Sequence, residues 1–293
     1  MLDELGQAIG QVHGQVGPST VGIGNRWRGG SGVVIESGRL LTNAHNLHGD
    51  APRVFFADGR ELQAEVVGVD TDGDLAVLAA DTADAQPVAW TQEAASELGI
   101  GSPVVALGNP AGNGARTTLG FVSGLGRSFR GPRGRRVSGA VEHTAPLAPG
   151  SSGGPLVDLQ GRLLGINTNR LGSGFYQAIA ADETLRGRVA ALGRGEAPRR
   201  RRIGVGLAPS HVARQLRRAV GLPERDGLLV REVEDDSPAA RAGIAEGDLV
   251  VAAAGTPVTT ADDLFAAIER AAEGPLELTV LRGTEERSVT VEG

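Results

Sequence analysis

The chain contains no cysteine and no lysine, and aromatic residues make up only 3% of its 293 positions. Without cysteine there are no disulfides, no thiolate metal sites and no cysteine nucleophile. Without lysine there is no Schiff-base chemistry and no phosphate-cradling P-loop lysine. All 29 basic residues are therefore arginine, set against 35 acidic ones for a net charge of −6. Long apolar runs are also missing: none approaches the roughly 20 residues of a membrane-spanning helix. The opening residues, Met1 to Ile9, place Asp3 and Glu4 where a secretory signal carries positive charge, and they lack its apolar core. On the sequence as given the expected location is cytoplasmic, or periplasmic or cell-envelope if an upstream segment is missing.

Glycine is what the chain has in excess, at 45 residues, about twice the usual share of roughly 7%. That predicts many turns and few long helices. Leu2, Leu5, Ile9 and Val12 recur at helical spacing, which predicts a short amphipathic helix to about Gln15. From Thr20 to Gly165 short aliphatic runs alternate with Gly, Asn, Asp and Pro turns. Strands are predicted at Thr20–Ile23, Gly32–Ile35, Arg53–Phe56, Gln63–Val69, Leu75–Ala79, Pro103–Leu107, Thr117–Ser123, Leu156–Val157 and Leu163–Ile166. Helical periodicity returns only at Thr184–Leu192. The fold class is mainly β, and successive strands leave no room for the crossover helices of a parallel sheet.

Charge divides the chain. Residues 1–202 hold 20 Arg against 19 acidic residues, whereas 203–293 hold 9 against 16. Between them Gly193 to Arg202 is a Gly/Pro/Arg stretch without apolar periodicity, which reads as a linker. The predicted division is a domain over 1–193, a linker over 194–202 and a second domain over 203–293. Arg127 to Arg136 carries five arginines among Gly, Pro and Ser and reads as a mobile surface loop. Nucleic acid is not the expected partner, because the chain is acidic and only Phe129 interleaves the clusters.

Three motifs carry chemistry. His45 follows the apolar Leu40-Leu41 and small Ala44; Asp74 opens the apolar run Leu75-Ala76-Val77-Leu78; Ser152 stands in Pro149-Gly150-Ser151-Ser152-Gly153-Gly154-Pro155. Asp70 and Asp72, just before Asp74, read as turn residues. Glycines on both sides of a serine allow backbone N–H groups to converge on one point, as an oxyanion hole requires. Alone, each motif reads as structural. Together, the order His, Asp, Ser in a β-rich segment is that of a chymotrypsin-type triad.

Leu41-Thr42-Asn43-Ala44-His45, Asp74-Leu75-Ala76-Val77-Leu78 and Gly150-Ser151-Ser152-Gly153-Gly154-Pro155-Leu156 resemble the corresponding motifs of HtrA/Deg-type serine proteases. Ala106 to Gly112 and Gly161 to Thr168 add supporting matches, and Asp236 to Val250 resembles the PDZ core of that family. The resemblance implies two perpendicular six-stranded barrels, a chymotrypsin-like double β-barrel, followed by one PDZ domain. It implies an ATP-independent serine endopeptidase of protein quality control, acting on unfolded or damaged proteins, with no metal or other cofactor. Catalysis would fall to His45, Asp74 and Ser152, and the oxyanion hole to backbone at Gly150, Ser151 and Ser152. Leu147, Arg170 and Leu171 fall on positions that shape the pocket for the residue before the scissile bond. Arg202, Ile203, Gly204 and Val205, with Leu264 and Ile268 on a helix capped by Thr260, would bind peptide C-termini. Ile203 and Val205 equally read as the start of a core strand.

Departures from the family pattern are local. Ser151 stands where the family has asparagine, and His143-Thr144 where it has Thr-Asp; His143 reads as structural. The resemblance implies a homo-oligomer, with a trimer favoured, for which Trp27 is the one aromatic candidate near the N-terminal end. A second reading keeps the same fold as a catalytically silent peptide-binding adaptor or chaperone.

Overall fold

The computed structural model describes residues 2–24, 29–48, 51–132, 134–172, 174–196, 198, 201–272 and 274–292. Trp27 with the rest of the loop between Gly24 and Gly29, Arg133 and linker residues 197, 199 and 200 lie outside the described residues. The chain divides into two compact units, Met1–Pro198 and Arg199–Gly293.

The first unit opens with α1 (Leu2–Val16), which buries Val12 and Val16. Seven strands follow: β1 (Thr20–Gly24), β2 (Gly29–Glu36), β3 (Arg39–Thr42), β4 (Arg53–Phe55), β5 (Glu61–Gln63), β6 (Glu65–Asp70) and β7 (Leu75–Ala79). They form one antiparallel sheet in the order β5-β4-β1-β2-β3-β7-β6. Its two ends, β5 and β6, are joined in the chain only through Ala64, which is buried. A continuous bent segment thus closes the sheet on itself, giving six strands when it is counted as one.

Next come α2 (Gln92–Ser96), β8 (Pro103–Gly108), β9 (Arg116–Arg130), β10 (Arg136–His143), β11 (Pro155–Val157), β12 (Leu163–Gly172) and β13 (Phe175–Ala180). These six strands make a closed barrel in the order β10-β13-β12-β11-β8-β9. α3 (Glu183–Gly193) then begins on Asp182, whose side chain accepts from Leu185 N at 2.8 Å.

The run Arg127 to Arg136 is not simply a loop. Arg127 to Arg130 extend β9, Arg136 begins β10, and Arg135 at the hairpin tip is buried. The composition hid this because the strand pairing Arg136↔Arg130, Val137↔Phe129 and Ser138↔Ser128 uses backbone, to which arginine is no obstacle.

Alternation along the strands explains why the barrels pack together. In β2, β3 and β7, Val34, Leu40 and Leu78 face one core while Val33, Leu41 and Val77 face another. In the second barrel Val104, Ala106, Leu156 and Leu164 fill the inside, and Val105, Leu107, Val157 and Leu163 join the second of those cores. One apolar layer, with Val12 and Val16 of α1 and Leu185, Val189 and Leu192 of α3, is therefore shared by both barrels. Burial on both faces is why these strands read as continuous apolar runs.

The second unit holds β14 (Val205–Ala208), α4 (Ser210–Ala219), β15 (Leu228–Val233), α5 (Pro238–Arg241), β16 (Leu249–Ala253), β17 (Thr256–Pro257), α6 (Ala261–Ala271), β18 (Leu276–Arg282) and β19 (Glu285–Val291). The sheet order is β14-β15-β16-β18-β19, with β17 on β16. β14 is an edge strand. Asp248, fully buried, is held by Arg282 through two 2.8 Å bonds. Thr260 and Asp263 form a capping box at the start of α6.

One close approach ties the second barrel to the segment that leads to Ser152. A Cβ on Gly120 of β9 would lie 2.0 Å from the Ala145 backbone nitrogen. Gly120→Ala is therefore expected to push residues 144–146 outward. The transition temperature of the first unit falls and reactivity at Ser152 falls with it, as calorimetry and active-site labelling of one sample would record.

Candidate active site

His45 stands on a single helical turn, Ala44–Asn46, immediately after β3. Asp74 precedes β7 in the left-handed region, φ 55°, an uncommon conformation that aspartate tolerates better than most residues. The two turns are fastened together, since Asn43 Nδ2 donates to Asp74 O at 2.9 Å and His45 N donates to Asp74 Oδ1 at 3.1 Å. His45 Nδ1 lies 2.9 Å from each carboxylate oxygen. A carboxylate only accepts, so Nδ1 carries the proton and Nε2 is left as the basic nitrogen. The Asp74 side chain is 3% exposed and that of His45 37%. A third donor comes from the other barrel: Thr168 Oγ1 of β12 donates to Asp74 Oδ2 at 2.7 Å.

Ser152 lies between β10 and β11, flanked by Gly150 at φ 85° and Gly153 at φ 89°. Its carbonyl accepts from Ser31 N at 2.7 Å and Asn46 Nδ2 at 2.8 Å, both of the first barrel. Ser31 Oγ donates to Gly150 O at 2.8 Å and accepts from Asn109 N at 2.8 Å. On the other side Gly153 N donates to Asn167 O at 2.7 Å and Asn167 N to Gly154 O at 2.9 Å. Among the described residues the N–H groups of Gly150 and Ser152 donate to no protein acceptor. The N–H of Ser151 differs: it donates to Ala148 O at 3.1 Å and closes a turn. The expected oxyanion donors thus reduce to two.

Ser152 Oγ donates to Thr168 O at 3.0 Å. No hydrogen bond joins it to His45 among the described residues. Thr168 therefore touches both halves of the site, through its hydroxyl on Asp74 and its carbonyl on Ser152. Sequence reasoning missed Ser31, Asn46 and Thr168 as parts of the site. The available signal was Gly29-Gly30-Ser31-Gly32, small residues in a strand that let other groups approach: a Cβ on Gly30 would lie 2.1 Å from the Asn46 side chain.

The pocket positions are spread over two segments. Leu147 is half-buried against the core inside the second barrel. Arg170 is exposed, its guanidinium 5.9 Å above the Tyr176 ring, and Leu171 is 47% exposed. Under Tyr176 lies His143, stacked at 5.8 Å between ring centroids and fully buried. Its Nε2 donates to Asn167 Oδ1 at 3.1 Å, and Nδ1 has no partner among the described residues.

In the second unit Gly204 adopts φ 78°, and a Cβ there would lie 2.2 Å from Ser237 Cβ. The N–H groups of Ile203 and Gly204 donate to no protein acceptor among the described residues. Arg202 is exposed and paired with Glu234 at 2.7 Å. Ile203, Leu264 and Ile268 are buried in the core, at 4%, 1% and 3% exposure. The apolar side chains left half-exposed beside that core include Val205, Leu207 and Phe265. The helical period alone could not tell a groove-lining leucine from a core one.

Fold and site together define a two-barrel, trypsin-like peptidase unit followed by a smaller unit whose sheet ends on edge strand β14. Family comparison agrees on both: the trypsin-like peptidase domain matches residues 30–166 and the PDZ domain residues 229–282. The chain is 38% identical over 271 residues to a probable periplasmic serine endoprotease DegP-like of Halomonas elongata, covering 89% of this chain and 55% of that one. It is 38% identical over 279 residues to the putative serine protease HhoA of Synechocystis sp., covering 90% and 70%. Among solved structures, HtrA-type protease AlgW with decapeptide superposes over 97% of both chains, with a TM-score of 0.64 and 26% identity. The chain belongs to the HtrA/Deg family of serine proteases.

Burial pushes the His143 imidazole from 6.5 down to about 4, against the opposing hydrogen bond to Asn167. The unfolded chain therefore binds a proton that the folded chain refuses between about pH 6.5 and 4. Stability is expected to fall as pH drops through that window, by on the order of 3 kcal/mol from this residue. Urea midpoints between pH 7 and 4 should fall less steeply for His143→Gln than for the parent.

Proposed function

We propose that this chain is an ATP-independent serine endopeptidase that hydrolyses peptide bonds in unfolded protein segments, with Ser152 as nucleophile, His45 as base and Asp74 as its orienting carboxylate. The observation that carries this reading is the buried Asp74, bound at once to His45 Nδ1 and to Thr168, whose carbonyl holds Ser152 Oγ. A serine hydroxyl is a weak nucleophile and needs a base within hydrogen-bond reach. His45 Nε2 takes the Ser152 proton as Oγ attacks the scissile carbonyl, and later returns it to the leaving amine. Asp74 keeps the ring in the required tautomer and stabilises its cation. The N–H groups of Gly150 and Ser152 receive the developing oxyanion; in comparable sites one such donor is worth about 10²–10³ in kcat.

In the resting state Ser152 Oγ turns away from His45 to Thr168 O, so catalysis requires that the hydroxyl turn back. An extended substrate can enter the cleft and displace that contact, whereas a folded domain cannot, which supports unfolded segments as the substrate class. The same resting contact is what favours the rival reading, a catalytically silent adaptor. Free N–H groups at Ile203 and Gly204, ahead of edge strand β14, support capture of a peptide C-terminus by strand addition. A relative named as periplasmic supports the envelope location over the cytoplasmic one. The family resemblance supports a trimer.

Ser152→Ala should lose about 10³-fold or more of the digestion of an unfolded model protein and all labelling by a fluorophosphonate, with an unchanged transition temperature. Equal behaviour of parent and variant would leave the adaptor reading.

A further inference from the structure

Asp70, Asp72 and Asp74 stand within five residues of the turn between β6 and β7, at 4%, 9% and 2% exposure. A buried carboxylate needs compensation, and each of these receives it from a different element. Arg188 of α3 pairs with Asp70 at 2.7 Å, Arg135 of the β9–β10 hairpin with Asp72 at 3.3 Å, and His45 with Asp74 at 2.9 Å. Arg188 also donates to Gly73 O, and Asp70 Oδ1 accepts from Gly73 N at 2.9 Å.

The Asp72–Arg135 pair is itself about nine-tenths buried, with side-chain exposures of 11% and 7%. The hairpin tip that carries Arg135 is closed on itself, since Gly131 N donates to Arg135 O at 2.8 Å and Arg130 Nη1 to Gly134 O at 2.9 Å. It also meets the turn backbone to backbone: a Cβ on Gly131 would lie 2.7 Å from Asp72 O. Such a buried pair contributes little net stability, because desolvation offsets its attraction. Its location is what distinguishes it. Asp72 and Asp74 are two residues apart, so their Cα atoms are within about 7 Å of each other.

We propose that Arg135 is a positioning residue: through Asp72 it holds the turn that presents Asp74 and cancels a second negative charge beside the His45–Asp74 pair. The β9–β10 hairpin thereby sets the acid limit of activity. This rests on the assignment of His45, Asp74 and Ser152 as the catalytic groups. Removing the arginine takes one positive charge from beside the turn, which favours the imidazolium of His45, a form that cannot act as base. Neutralising the aspartate takes one negative charge away and has the opposite effect. The pair of Asp70 and Arg188 at the same turn is untouched in both cases.

The test is the rate of fluorophosphonate inactivation of the full chain as a function of pH, which needs no knowledge of the natural substrate. Arg135→Met should move the acid limb up by about one pH unit, making reaction near pH 6 roughly tenfold slower. Asp72→Asn should move it down, the double variant should return it close to the parent, and Arg135→Lys should leave most of the parent profile. Gly131→Ala, which displaces the tip without touching a charge, should give a shift in the direction of Arg135→Met. Identical limbs in all variants, or shifts of the same sign for Arg135→Met and Asp72→Asn, would overturn the proposal. If Arg135→Met does not fold, Asp72→Asn against the double variant decides. A parent chain that does not react at all would instead remove the catalytic assignment on which the proposal rests.

Discussion

A carboxylate removed from water must be met by donors, and the way Asp74 is met organises the rest of the first unit. At 2% exposure it accepts from the backbone and ring of His45 and from the hydroxyl of Thr168. The first two donors belong to a turn of the first barrel and the third to β12 of the second. A single buried charge therefore fixes how the cleft closes. If either barrel shifted, that carboxylate would lose a partner in a medium where water cannot replace it.

The proposed nucleophile is held by the same logic from the opposite direction. Its own carbonyl is gripped by Ser31 and Asn46 of the first barrel, and the carbonyl of Gly150 by the Ser31 hydroxyl. With those oxygens turned toward the first barrel, the N–H groups of Gly150 and Ser152 are left without protein acceptors among the described residues. This packing leaves no space for side chains at Gly153, where a Cβ would lie 2.0 Å from Ser31 O. The glycine excess of the composition thus has a local reason at the site: backbone must approach backbone between two barrels. Beneath it His143, Tyr176 and Arg170 form a stack that departs from the Thr-Asp of the family pattern and fills a fully buried position with a ring.

Much of this was legible in the sequence. The apolar runs located most strands, α1 ends at Val16 against an expected end near Gln15, and the order of His45, Asp74 and Ser152 pointed to the cleft. What was not legible depended on distant partners. Asp70 and Asp72 read as ordinary turn residues because their arginines lie far along the chain and reach them only after the barrels pack. β10 and β13 went unread because a strand such as Arg136–His143, with arginine and glycine in it, is defined by the neighbours that pair with it. Leu264 and Ile268 were legible as one face of a helix, but whether that face meets a core or a groove is decided by the sheet it covers.

The His45–Asp74 bond is the centre of this account, and proton NMR of the resting protein observes it most directly. A proton shared between Nδ1 and a buried carboxylate exchanges slowly and resonates far downfield of ordinary amides. One such resonance is expected, coupled to a histidine ring nitrogen, present in the parent and in Ser152→Ala and lost in Asp74→Asn. Its absence from the parent, or its survival in Asp74→Asn, would contradict the arrangement on which both the cleft and the proposed chemistry depend.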